Sequence, residues 1–129
     1  MDKFEIRRMC EIVNSGIQPV QNLRTLGSIQ ELGGNPKQWA RDAIYRGLIV
    51  YDECVKKNGG LYSFGDTVTM ADVFLVPQLG NARRFHYNFE EDFGHLAVIE
   101  KRLMELPEFI KSDKANQITE TDPKEDIRL

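Results

Sequence analysis

Histidine and cysteine are scarce in this chain, two of each among 129 residues, and their scarcity removes whole classes of chemistry. Cys10 and Cys54 lie far apart and neither belongs to a CxxC pair. A disulfide framework or zinc site is therefore not expected, and two reduced, buried, structural thiols are. His86 and His95 each lack a second ligand at helical spacing, so no metal site is expected. Long apolar runs are also missing. The longest is Val73-Phe74-Leu75-Val76-Pro77, bounded by Asp72 and Gln78, far short of the about 20 residues a membrane span needs. Nor does one sign of charge dominate: 17 Lys and Arg stand against 20 Asp and Glu, a net of -3. Arg7-Arg8 and Arg83-Arg84 are isolated pairs, so neither nucleic acid nor an anionic membrane is an expected partner. Met1-Asp2-Lys3-Phe4 opens no apolar run of the kind a secretory signal requires, and the expected location is cytoplasmic.

What is present is an ordinary globular composition, 41% hydrophobic and 29% charged, enough for one core. Met9, Ile12, Val13, Ile17, Val20 and Leu23 recur at three- and four-residue steps, predicting a helix over about Phe4 to Leu26. Ser15-Gly16 and Pro19 should kink it, because glycine costs backbone entropy and proline removes a hydrogen bond. After Gly33-Gly34-Asn35-Pro36, apolar residues from Trp39 to Val55 predict a second long helix over Lys37 to Lys57, packed antiparallel to the first. Asn58-Gly59-Gly60 ends it.

Thr69 with Asp72 three residues later forms a capping-box pattern, and Val68 with Val73 is placed as a hydrophobic staple. The helix that follows is apolar on nearly every side, so it is expected at the centre of a bundle with its cap buried. Leu96, Ile99, Leu103 and Leu106 predict a further helix stopped by Pro107, with one short apolar turn at Phe109 and Ile110. No strand pattern or repeat occurs. The fold class is all-α, a bundle of about five helices, with residues 1–112 as the helical domain and 113–129 as a polar tail.

Two strings carry a resemblance. Gly16-Ile17-Gln18-Pro19-Val20-Gln21-Asn22-Leu23 is similar to the first C-terminal-domain helix of the zeta-class glutathione transferases, the maleylacetoacetate isomerase family. Tyr62, Gly65-Asp66, Val68-Thr69-Met70-Ala71-Asp72, Leu75-Val76-Pro77-Gln78, Asn81-Ala82 and Arg84-Phe85 resemble a second stretch of that family in order and spacing. The Thr-x-x-Asp cap alone marks only the wider transferase superfamily; the other strings narrow it. The resemblance runs from about Phe4 to Pro123 and implies a helical bundle of the glutathione-transferase C-terminal type.

The family's front is a thioredoxin-like domain of roughly eighty residues whose Ser-Ser-Cys motif activates glutathione. This sequence has no Ser-Ser-Cys, and Val76-Pro77 lies within a helix rather than at the family's glutathione-gripping turn. The N-terminal domain is therefore expected to be absent. The resemblance implies that the chain supplies the substrate-binding half of a glutathione-dependent cis–trans isomerisation in tyrosine and phenylalanine catabolism, inert without its partner domain. The alternative is a non-catalytic helical interaction module.

The resemblance makes Arg84 the substrate-carboxylate residue, for a small dicarboxylate, and Gln18 the glutathione-facing residue. Thr69 and Asp72 are the structural cap, and no catalytic residue is expected in this chain. From the residues alone, Arg84 could instead stabilise a helix C-terminus, and Gln18 could bond the carbonyl that Pro19 leaves unpaired. Arg83, where the family often has an acid, should make the local field more positive. Homodimerisation or self-association is expected through the apolar surface that the front domain would cover.

Overall fold

The computed structural model describes residues 2–117, and every regular element among them is helical. The first stretch is not one kinked helix. It comprises α1 (Lys3–Glu11), a wide π turn (Ile12–Ile17), α2 (Gln18–Gln21) and α3 (Leu23–Glu31). Asp2 caps α1 by accepting from the Phe4 and Glu5 amides. Gly16 and Pro19 weaken the middle as expected, but the outcome is an inserted residue rather than a simple bend: the Gln18 N–H reaches back to the Val13 carbonyl, five residues away. At Asn22 the backbone becomes extended (ψ 159°) and its side chain accepts from Thr25 N–H, starting α3 afresh.

The second long helix, α4 (Pro36–Asn58), begins with Pro36 at its first turn and Asn35 as cap, and ends with Lys56 and Lys57 near its negative pole. Three contacts fix its direction. Trp39 Nε1 donates to the Val20 carbonyl at 2.9 Å, Gly47 abuts Ile17, and Cys54 lies in the field of Arg8. As α4 advances its partner recedes, which is the antiparallel packing expected. At Gly47 an added Cβ would lie 2.1 Å from Ile17 Cγ1, so the absence of a side chain there is what lets α4 meet the π turn.

The central helix, α5 (Met70–Arg84), buries Ala71, Asp72, Leu75, Gln78, Leu79 and Ala82. It is not enclosed on every side. Met70 is 56% exposed and Val73 46%, and with Pro77, Gly80 and Arg84 they form an open stripe at helical spacing. Pro77 sits on this outer face, where water can satisfy the carbonyl it leaves unpaired. Val68 and Val73, expected as a staple, are both exposed. The capping box is present: the Asp72 carboxylate accepts from Thr69 N–H at 2.8 Å and from Ser63 N–H at 2.9 Å. Asp72 is wholly buried, whereas Thr69 is half-buried.

Past α5 come α6 (Phe89–Asp92), a turn the sequence reading did not anticipate, α7 (Gly94–Leu103), α8 (Pro107–Ser112) and α9 (Lys114–Gln117). Pro107 opens α8 rather than stopping α7, which closes at Leu103. The helical structure thus continues through Gln117, and the rest of the expected polar tail lies outside the described residues. Tyr51, Ile44, Leu48, Leu75, Leu79 and Leu96 are among the side chains wholly excluded from solvent in the core between α4, α5 and α7. The Tyr51 hydroxyl donates to the Ala71 carbonyl at 2.9 Å and lies 3.0 Å from the Ser63 hydroxyl. Burial pushes its ionisation well above the ordinary value, so it stays a neutral donor. Cys10 and Cys54 are buried free thiols, and burial pushes both upward too; the structural role expected for them stands.

Helix α5 ends in a Schellman turn. The Tyr87 N–H bonds the Ala82 carbonyl and the His86 N–H the Arg83 carbonyl, both at 2.9 Å. His86 occupies the left-handed position, with φ 56°, where a side chain costs about 1–2 kcal/mol and glycine does not. Allowing for glycine's larger entropy loss on folding, His86→Gly should stabilise the chain by about 0.5–1 kcal/mol. Thermal unfolding of His86→Gly beside His86→Ala decides this; equal melting temperatures would show that backbone strain at this turn is negligible.

Candidate functional site

A groove of about 940 Å³ runs along the open stripe of α5. Val73, Pro77, Gly80 and Arg84 of α5 line it, with Ala97 and Lys101 of α7, Met104 just past the end of α7, and Phe109 and Asp113. Helical spacing groups them: steps of three and four put Val73 to Arg84 on one face of α5 and Ala97 and Lys101 on one face of α7.

The two helices are tied together beside the groove. Arg83 meets Glu100 through two parallel bonds, Nη1 to Oε1 at 2.8 Å and Nη2 to Oε2 at 2.6 Å. It also reaches Glu90 at 3.0 Å and lies over the Phe89 ring, 4.6 Å from its centre. The hydrogen bonds to Glu100 raise the Arg83 guanidinium further above its already high value. This corrects the expectation of a more positive local field. Arg83 carries its charge, but two carboxylates meet it, and its role is to join α5, α6 and α7.

Arg84, the adjacent residue, is exposed on the groove wall and makes no ion pair or side-chain hydrogen bond among the described residues. Sitting in the last turn of α5 it also faces the helix's negative end, so both readings of its position remain compatible with its geometry. Gln18 stands elsewhere. It opens α2 directly after the π turn, is exposed, and does not line the groove. Its side chain bonds no carbonyl among the described residues; at this bend it is Thr25 Oγ1 that donates to the Pro19 carbonyl, at 2.9 Å. The structure therefore places Arg84 in a groove and does not bring Gln18 into it. Thr69 and Asp72 sit at the opposite end of α5 and position the helix rather than the groove.

Two buried residues escaped the sequence reading. Gln21 of α2 and Gln78 of α5 exchange amide bonds, Nε2 to Oε1 at 3.3 Å in one direction and 3.2 Å in the other. Both are almost completely buried, at 4% and 2% exposure. Each lies inside a string that carried the resemblance, and a glutamine among apolar helix neighbours was the available signal. No group of three metal-ligating side chains occurs among the described residues, and no helix there is long and apolar enough to cross a membrane.

Residues 21–97 match the family described as "Glutathione S-transferase, C-terminal domain". The chain belongs to that family. Within it, maleylacetoacetate isomerases are the relatives it resembles. The maleylacetoacetate isomerase of Dictyostelium discoideum is 34% identical over 86% of this chain and 52% of its own length. That of Mus musculus is 36% identical over 87% of this chain and 50% of its own. The chain thus spans about half the length of the curated relatives it matches. A crystal structure of the maleylacetoacetate isomerase from Anaeromyxobacter dehalogenans 2CP-1, with dicarboxyethyl glutathione and citrate bound in its active site, superposes with a TM-score of 0.85 at 35% identity. That superposition covers 97% of this chain and 56% of the other. The all-helical transferase fold and the zeta-class resemblance read from the two strings are both supported.

Proposed function

We propose that this chain supplies the substrate-carboxylate half of a glutathione-dependent cis–trans isomerase acting on a maleyl keto acid, as in tyrosine and phenylalanine breakdown. The observation that carries this is Arg84, an unengaged guanidinium on the wall of a large, partly apolar groove, in a chain whose structural relative binds a glutathione conjugate and citrate. A planar guanidinium holds a carboxylate by two parallel bonds, and the apolar surface of Val76, Pro77 and Phe109 strengthens that attraction by keeping water back.

Glutathione, when bound, supplies a thiol that adds reversibly to the conjugated double bond and so permits rotation about it. The fit of this chain to glutathione is limited to one contact: the exposed, unengaged amide of Gln18 is suited to a peptide group. Ser-Ser-Cys does not occur in the sequence, so thiol activation falls to a thioredoxin-like domain, and the chain by itself is inert. A cytoplasmic homodimer is the assembly this reading carries.

The test compares glutathione-dependent turnover of a maleyl substrate by this chain alone and by the chain joined to the thioredoxin-like domain of a zeta-class relative. No turnover is expected from the first and turnover from the second. In the joined enzyme Arg84→Gln should raise KM about tenfold to a hundredfold, since a charge-assisted bond is worth about 1.5–3 kcal/mol. Relative-like rates from the chain alone would overturn its inertness, and an unchanged KM would overturn the role of Arg84.

A second reading, a non-catalytic interaction module, is favoured by exposed Met70 and Val73 on the open face of α5, by Val68 just before its cap and by Phe4 at 72% exposure. Sedimentation at high concentration is the measurement; a clean monomer that binds no apolar dye argues against it.

A further inference from the structure

We propose that Gly80 is a specificity-determining position of the groove: its missing side chain leaves room for a broad, flat group joined directly to the carboxylate that Arg84 receives. The proposal rests on the reading of Arg84 as a carboxylate residue and adds what can lie beside that carboxylate. Gly80 is exposed in the interior of α5, three residues after Pro77 and four before Arg84. Those steps put all three on one face, and all three line the groove. Along the helix, bare backbone at Gly80 thus stands between the apolar surface of Pro77 and the guanidinium.

The fold itself gives no reason for a glycine here. An added Cβ at Gly80 would meet no atom within 4 Å, whereas at Gly47 it would strike Ile17. Nor does the backbone need glycine's freedom, since the positive-φ glycines among the described residues are Gly33 and Gly65. Alanine would favour the helix, because an interior glycine costs backbone entropy. Proteins break such local rules chiefly at functional sites, and the two residues of α5 least suited to a helix interior, Pro77 and Gly80, both face the groove. Gly27 of α3 provides the contrast. An added Cβ there would also meet nothing, but Gly27 does not line the groove, so it reports helix preference alone. A planar acid held at Arg84 places its ring beside the guanidinium, over the stretch of α5 that Gly80 leaves bare. A methyl group at that point would obstruct a ring and would clear an unbranched chain, which is narrower and can turn aside.

The experiment titrates the chain with 1-naphthoate, a broad ring bearing one carboxylate, and with hexanoate, an unbranched chain bearing one, at low ionic strength where exposed charges are least screened. Binding is read by NMR shifts and stability by thermal unfolding. Gly80→Ala should raise the melting temperature by about 3–6 °C, the gain in helix preference. The same variant should bind 1-naphthoate about tenfold more weakly, as a methyl group forced against a packed ring requires, and hexanoate as before. Gly27→Ala should raise the melting temperature alike and change neither affinity. Arg84→Gln should weaken both ligands. A Gly80→Ala variant that keeps its affinity for 1-naphthoate, weakens both ligands equally, or melts below the wild type overturns the role of Gly80 and leaves the Arg84 reading in place. A wild type that binds neither ligand, or binding indifferent to Arg84→Gln, overturns the reading beneath it.

Discussion

Replacing Asp72 by alanine should destabilise the chain by about 3–5 kcal/mol, the largest effect expected for any single side chain described. Its carboxylate is completely buried and holds two backbone donors, Ser63 N–H at 2.9 Å and Thr69 N–H at 2.8 Å. Ser63 is itself fully buried, so its donor has no route to water once the acceptor is gone. Each lost bond to a charged group costs about 1.5–3 kcal/mol, and the helix that loses its start brings Leu75 and Leu79 into the core. Asp72→Asn separates the two contributions. An amide has one oxygen, so whichever donor it serves, its nitrogen opposes the other, and about half the loss should remain. Thr69→Ala removes the cap bond from Ala71 N–H at 3.2 Å and a long hydroxyl bond to the Asp72 carboxylate at 3.4 Å, leaves the two backbone bonds to Asp72 in place, and should cost about 1 kcal/mol. Urea unfolding followed by circular dichroism checks the ranking; a Thr69 variant as unstable as the Asp72 variant would contradict it.

Gly47→Ala should destabilise by about 2 kcal/mol although alanine is the better helix former. The propensity gain is about 1 kcal/mol. Against it stands a Cβ that would lie 2.1 Å from Ile17 Cγ1 and 2.4 Å from Cδ1. Ile17 is wholly buried in the π turn, and overpacking of this kind typically costs about 1–3 kcal/mol beyond any local gain. The double variant Gly47→Ala with Ile17→Val provides the decisive comparison. Trimming the isoleucine should relieve the clash, so the pair should be less damaging than the sum of the single changes. Simple additivity in unfolding free energy would mean that the contact does not limit packing.

The legibility of this molecule in its sequence has a physical pattern. Helical spacing says which residues share a face, and it placed α4, α5 and α7 and the antiparallel pairing of the first two long helices. It does not say what lies opposite a face. Met70 and Val73 were therefore read as core, when apolar character shows only that a surface would be better covered. Gly16 and Pro19 announced a break in the first helix, but nothing local distinguishes a bend from the insertion of one residue; the π turn packs Ile17 against Gly47 of α4, a contact thirty positions away. At the groove, the string around Arg84 located the residue, while its neighbour's character depended on Glu100, seventeen positions along the chain. Pairings of that kind, like Gln21 with Gln78, are made by the tertiary fold: the local sequence can mark each glutamine as out of place but not name its partner.

The paired glutamines also bear on how α2 and α5 find one another. Apolar side chains tolerate small longitudinal slips, since one methyl group covers another about as well at a neighbouring position. Two amides facing each other do not. A slip of α5 by one helical turn, about 5.4 Å, would strand four amide hydrogen-bonding sites in the dry interior, each costing about 1–3 kcal/mol. The pair therefore acts as a vernier between the two helices: it adds little to total stability but accepts a single longitudinal setting. Because Gln18 stands three residues before one member and Arg84 six residues after the other, the same setting fixes the relative height of the two positions on which the proposed chemistry depends.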